Sequence, residues 1–228
     1  MERPKVSFPL ILVNFKLYLE STGRRGLKLA RDAERASQET GVCIGVAPQY
    51  VDIRLIAYET KLPVFSQHID PVPADKNTGA ILPESVYEAG AAGTLINHSE
   101  RRLELAAIDE CIRRAKQTGL VSLVCTNNPE VSQAAAALGP DIIAYEPPEL
   151  IGTGVPVSRA RPEAVTNALN LVRRTAPTLP VLCGAGISTA EDVRVALKLG
   201  TKGVLLASGV VKAKDPYRVL LEMARACE

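Results

Sequence analysis

The segment Tyr145-Glu146-Pro147-Pro148-Glu149-Leu150-Ile151-Gly152-Thr153-Gly154 joins a carboxylate to a stretch that is stiff at one end and free at the other. Glu146 closes a short apolar run, residues 141–145, that reads as a buried strand, and the carboxyl end of such a strand is where parallel α/β folds put their chemistry. Pro147 and Pro148 restrict the start of the following loop. Gly152 and Gly154 free its end and leave backbone N–H groups open for an anion. This is the layout of a base with a lid; a surface turn carrying a solvated Glu is the alternative.

Other polar residues also stand just after apolar runs. His98 precedes Ser99-Glu100-Arg101-Arg102-Leu103, which reads as the opening turn of a helix, and the unpaired N–H groups of such a turn disfavour an imidazolium. A neutral imidazole can donate to an oxygen on which negative charge develops, whereas a core histidine satisfied by backbone is the bland reading. Lys16 would bring positive charge to a substrate oxygen and a phosphate, with Asn14 orienting it; most lone lysines are simply solvated. Gly184-Ala185-Gly186-Ile187-Ser188 and Ala207-Ser208-Gly209-Val210 let backbone approach an oxyanion, although neither has P-loop spacing and each alone also reads as a tight turn. His68 has no comparable context. One carboxylate, one ammonium, one imidazole and two Gly-flanked sets of donors suit proton movement beside a carbonyl in a phosphorylated substrate.

These residues need a scaffold that brings them together. Near-continuous apolar runs at 8–14, 42–47, 63–67, 93–97, 120–125, 141–145, 179–183 and 202–206 read as buried strands. Helical patterns follow them at 20–40, 50–60, 83–89, 99–117, 129–138, 159–175, 189–199 and 216–226, with a polar loop at 70–80. Eight strand-and-helix units favour an α/β fold closed as a (β/α)8 barrel, one domain over residues 1–228. A doubly wound open sheet is the rival, though no GxGxxG follows the first strand. In a barrel, Asn14, Lys16, Gln67, His98, Glu146, Gly186 and Ser208 would converge on one rim.

Composition narrows the class. The 228 residues are 46% hydrophobic and 23% charged, enough apolar content for a sizeable core. A net charge of +2 argues against a broad nucleic-acid footprint, so an anionic ligand should be small and gripped locally. No apolar run approaches the roughly 20 residues of a membrane span, and the start lacks a signal-like apolar core, so the expectation is a cytoplasmic protein without membrane partners. Five cysteines show no CxxC spacing; the three in strand-like runs read as buried reduced thiols, with a catalytic Cys as the lesser alternative, and no His/Cys spacing suggests a metal site.

Tyr145-Glu146-Pro147 followed by Ile151-Gly152-Thr153-Gly154 resembles the lid signature of the triosephosphate isomerase family. Asn14-Phe15-Lys16, Asn97-His98-Ser99-Glu100-Arg101-Arg102, Gly184-Ala185-Gly186-Ile187-Ser188 and Leu206-Ala207-Ser208-Gly209 resemble its other blocks, in the right chain order and spanning nearly the whole chain. The resemblance implies a barrel enzyme that interconverts dihydroxyacetone phosphate and D-glyceraldehyde 3-phosphate, in glycolysis and gluconeogenesis, with no cofactor and no metal. It implies Glu146, His98 and Lys16 as catalytic residues. It implies Asn14, Phe15, Lys16, Ile151, Gly152, Gly186, Ser188, Ala207 and Ser208 as substrate contacts, with Glu100 beside the lysine.

Pro148-Glu149-Leu150 replaces the bulky lid residues usual in the family, and the chain is shorter than the about 250 residues typical of such barrels; both features resemble the archaeal branch. That branch implies a homo-oligomer, a tetramer or a dimer, with the loop at Asn77-Thr78-Gly79 crossing to a neighbour and Thr78 reaching its site. Two alternatives stand beside the isomerase: a phosphosugar-binding barrel without catalysis, and another barrel enzyme such as an aldolase using Lys16 as a Schiff base.

Overall fold

The structure, a computed structural model, describes residues 3–147 and 157–227. Eight strands alternate with helices: β1 Leu10–Asn14, β2 Cys43–Ala47, β3 Phe65–Ser66, β4 Gly93–Ile96, β5 Val121–Thr126, β6 Ile142–Tyr145, β7 Val181–Cys183 and β8 Gly203–Leu206. All pairings are parallel, in the order β2-β1-β8-β7-β6-β5-β4-β3. The ends of that order, β2 and β3, meet through a single parallel bridge between Val46 and Val64, with Val46 N–H donating to the Pro63 carbonyl at 3.2 Å. That bridge closes the sheet into the expected (β/α)8 barrel, and the β2–β3 junction is its thinnest seam.

The strands read as unbroken apolar runs because both faces are buried. Along β1, Leu10 and Leu12 point into the barrel with Phe65, Leu95, Leu123, Cys125 and Leu182, while Ile11 and Val13 point outward into the layer beneath the helices. Helix α1, Arg24–Thr40, supplies Leu29, Ala30, Ala33 and Ala36 to that layer at helical spacing and ends at Gly41, whose φ of 73° makes the left-handed cap that glycine tolerates best. Helices α2 (Tyr50–Glu59), α3 (Pro83–Glu88), α4 (Leu105–Thr118), α5 (Pro129–Ala137), α6 (Val157–Ala160), α7 (Pro162–Thr175), α8 (Ala190–Lys198), α9 (Ser208–Val211) and α10 (Pro216–Arg225) complete the described elements.

The strand expected over 63–67 is only Phe65–Ser66, α9 was not expected, and three helices differ from the sequence reading by more than a residue or two. The helix expected from residue 20 begins at Arg24, after a 3-10 turn at Leu19–Ser21 and Gly23 with φ 61°. The helix expected over 159–175 is two helices, because Pro162 opens α7 and Arg161 before it leaves helical geometry at φ −143°. The helix expected from Ser99 starts at Leu105. Residues 98–104 instead fold around Asn97, whose φ is 61° and whose Oδ1 accepts the Leu103 N–H at 2.9 Å.

Candidate active site

Glu146 stands at the carboxyl end of β6, its N–H bound to the Thr126 carbonyl at 2.7 Å. It is 5% exposed, and among the described residues its Oε2 has no hydrogen-bond partner. A buried carboxylate oxygen without a partner is costly, and here it stands at the rim where it borders the cavity. Gly184, at the end of β7, makes the space: a Cβ there would overlap Glu146 Cγ and stand 3.0 Å from Oε1. Cys125 lies beneath the carboxylate, and burial, reinforced by the charge of Glu146, pushes its thiol well above the ordinary range and leaves it inert.

His98 follows β4, and its Nε2 lies 3.8 Å from Glu146 Oε1. The turn at 98–104 fixes the ring. Arg101 N–H returns to the His98 carbonyl at 2.8 Å, and Glu100 N–H donates to His98 Nδ1 at 3.2 Å. A donor at Nδ1 requires its lone pair, so the ring proton sits on Nε2, the nitrogen aimed at the cavity. The Glu100 carboxylate is farther from Nδ1, at 3.5 Å, and its other oxygen is held by Lys16. The orientation thus comes from one local N–H of a turn, not from the first turn of a helix. Asn97 sets that turn: besides accepting from Leu103, it donates to the Cys125 carbonyl at 2.9 Å and ties the β4 and β5 rims together. Sequence reading treated Asn97 only as part of a motif, although an Asn after a buried strand is a common bearer of positive φ.

Lys16 occupies the loop after β1 with φ 47°, a left-handed conformation that a non-glycine residue adopts at a cost. Both its peptide groups are clamped: its N–H by Asn14 Oδ1 at 2.9 Å, its carbonyl by the Gln67 side-chain amide at 2.9 Å. Its ammonium lies 2.9 Å from Glu100.

Opposite, Ala185 and Gly186 have φ 68° and 74°, and the loop they form faces the start of α9. Among the described residues the N–H groups of Gly186 and Ser208 donate to nothing. Asn14, Lys16, His98 and Glu146 on one side and Gly186, Ser188, Ala207 and Ser208 on the other line one cavity of about 190 Å³, with Tyr18 at its edge. That volume is below the about 300–1,000 Å³ of drug-sized sites and fits a molecule of a few carbons. Phe15 is not among the lining residues; its ring is fully buried in the core near Gly26 of α1. Ile151, Gly152 and the lid beyond Pro147 lie outside the described residues. Gln67 lines an adjoining groove with Leu17, Tyr50 and Arg101. His68 is 2% exposed and bonded through Nε2 to Asp70 at 3.0 Å, a satisfied buried histidine.

With this geometry in place, comparison with known proteins gives a consistent result. The family model described as "Triosephosphate isomerase" matches residues 9–227. The chain is 55% identical over 215 residues to the triosephosphate isomerase of Methanobacterium bryantii, covering 94% of this chain and 95% of that one. It is 53% identical over 216 residues to the enzyme of Methanocaldococcus jannaschii, covering 95% and 99%. Among solved structures, a triosephosphate isomerase from Bartonella henselae superposes with a TM-score of 0.78 at 18% identity, covering 96% of this chain and 99% of that one, a likeness of fold.

Proposed function

The chain belongs to the triosephosphate isomerase family, in its archaeal branch, and from that premise we propose how its residues share the work. The reaction is the interconversion of dihydroxyacetone phosphate and D-glyceraldehyde 3-phosphate through an enediolate, a step of glycolysis. Glu146 takes the proton from the substrate carbon and returns it to the neighbouring one. The observation that carries this role is the buried Oε2, without a hydrogen-bond partner among the described residues, beside a cavity of the right size. A carboxylate shielded from water and held in place can reach a C–H that a solvated one cannot.

His98 donates from Nε2 to the enediolate oxygen as charge develops there. Lys16 supplies a cation to the same oxygen and to the phosphate, and its clamped backbone keeps the ammonium aimed without reorganisation. Gly186, Ala207 and Ser208 hold the phosphate through backbone N–H groups, joined by Ile151 and Gly152 when the lid closes. The closed lid keeps water out and prevents loss of phosphate from the intermediate. The reading takes residues 1–228 as one barrel domain.

A homo-oligomer, tetramer or dimer, accompanies this reading. Leu17, Leu19 and Val51 are 75%, 68% and 83% exposed, and Leu17 lines the groove that opens off the site, an apolar lip suited to a second copy. The exposed loop at Thr78 is the element that would enter a neighbour's groove. Sedimentation of the purified chain tests this, and a monomer at working concentration would refute it. Among the described residues no helix is long and apolar enough to cross a membrane, and the free thiols fit a reducing cytoplasm.

The deciding experiment compares turnover of dihydroxyacetone phosphate by wild type and Glu146→Gln. Loss of the base should cost at least about a hundredfold in kcat with the fold retained. Near-wild-type turnover in the variant would remove Glu146 from the chemistry, and borohydride trapping of substrate on Lys16 would point to an aldolase instead.

A further inference from the structure

One buried carboxylate on the phosphate side of the cavity is not used by the mechanism above. Asp192, 2% exposed in the first turn of α8, accepts three hydrogen bonds on the single oxygen Oδ2: from Thr189 N–H at 2.9 Å, Ser188 N–H at 3.1 Å and the Ser188 hydroxyl at 3.3 Å. Its own N–H returns to Thr189 Oγ1 at 3.2 Å, completing a reciprocal cap. The cap of α8 needs only the Thr189 exchange. The two bonds to Ser188 reach past the helix into the loop that lines the cavity.

What rests on Ser188 gives those bonds their use. A Cβ on Gly209 would come within 2.9 Å of Ser188 Cα and 3.1 Å of the Ile187 carbonyl oxygen, so α9 packs its backbone directly on residues 187 and 188. The two loops that hold the phosphate are therefore one stacked unit, and Asp192 is the group that pins it from behind. The Ser158 hydroxyl also reaches the Asp192 carbonyl, at 3.5 Å, from α6, the first element described after the lid.

We propose that Asp192 is a positioning residue for the substrate phosphate: by binding Ser188 it fixes the spacing between the Gly186 loop and the start of α9, so that their N–H groups meet the phosphate together. The proposal deepens the isomerase reading and rests on it. Its negative charge is offset locally by the N-terminal N–H groups of α8. The bonds from Ser188 and Thr189 all end on Oδ2, so the carbonyl oxygen of Asn can replace that acceptor, while Ala releases Ser188.

The test measures KM for D-glyceraldehyde 3-phosphate, inhibition by inorganic phosphate, and kcat/KM for unphosphorylated D-glyceraldehyde in wild type, Asp192→Ala and Asp192→Asn. Asp192→Ala should raise KM and the phosphate inhibition constant each by about tenfold, as expected for loss of charge-assisted hydrogen bonds. Asp192→Asn should stay near wild type, and turnover of D-glyceraldehyde should be equal in all three. Should Asp192→Ala fail to fold, Asp192→Ser, which keeps one acceptor, is measured in its place and should fall between the two. Unchanged phosphate inhibition in the folded variant overturns the proposal, and so does an equal loss on D-glyceraldehyde, which would mark a general structural defect. A folded wild type that does not isomerise the triose phosphate, or whose activity phosphate leaves untouched, overturns the reading beneath it as well.

Discussion

Gly184 and Glu146 share one volume: the space a side chain at 184 would fill is occupied by the Glu146 methylene and carboxylate. The backbone at Gly184 is outside the left-handed region, so alanine is conformationally allowed there, and the three atoms nearest to its Cβ all belong to Glu146. Gly184→Ala should fold, lose about a hundredfold in kcat because the proposed base is misplaced, and lose about 1–3 kcal/mol of stability to overpacking. The stability loss should largely vanish when Glu146→Ala is added, since the clashing partner is then gone. Additive stability losses in that double-mutant cycle would show that the crowding lies elsewhere.

The seam between β2 and β3 makes Gln67 a structural staple. Its amide donates to the Lys16 carbonyl at 2.9 Å and the Ala47 carbonyl at 3.0 Å, and so links the ends of β1, β2 and β3 where the ladder has only one bridge. Gln67→Ala should lower stability by about 1–3 kcal/mol through the released carbonyls. Gln67→Glu should be worse near neutral pH, because it turns a carboxylate toward two carbonyl oxygens. Chemical denaturation of the two variants checks the order, and a Glu variant as stable as wild type would contradict it.

Burial holds His68 below its ordinary pKa, against the pull of the Asp70 hydrogen bond and together with the repulsion of Arg101. Asp70 is held below the usual carboxylate value: burial opposes this, but the Ile81 N–H and His68 outweigh it. Below about pH 6.5 the unfolded chain protonates His68 while the folded chain does not, so stability falls as pH drops through that value. The Asp70 contribution is lost only at lower pH, as the acid falls through its depressed folded value. The chain has 2 histidines, so His68→Gln isolates this one. The melting temperature of wild type should drop more between pH 7 and pH 5 than that of His68→Gln; equal drops would reject the linkage.

Much of this was legible in the sequence because buried parallel strands advertise themselves. The eight apolar runs became eight strands, and Asn14, Lys16, His98, Glu146, Gly186, Ser188, Ala207 and Ser208 meet around one cavity. What escaped were features set by contacts between distant segments. Residues 99–104 carry helix-compatible types, yet Asn97 captures the Leu103 N–H and delays α4 to Leu105. Phe15 sits between two site residues in sequence, but strand alternation turns it into the core. The need for a bare Gly184 depends on where β7 lies beside β6, which no local pattern encodes.

Lys16 is held in a left-handed backbone conformation, with both peptide groups clamped by side chains from elsewhere. Glycine would relax that strain. On the role proposed for Lys16, improvement of folding and improvement of turnover pull in opposite directions at this position. A library screened for heat resistance alone would then discard the ammonium early, and the survivors would be robust barrels that had forgotten their reaction.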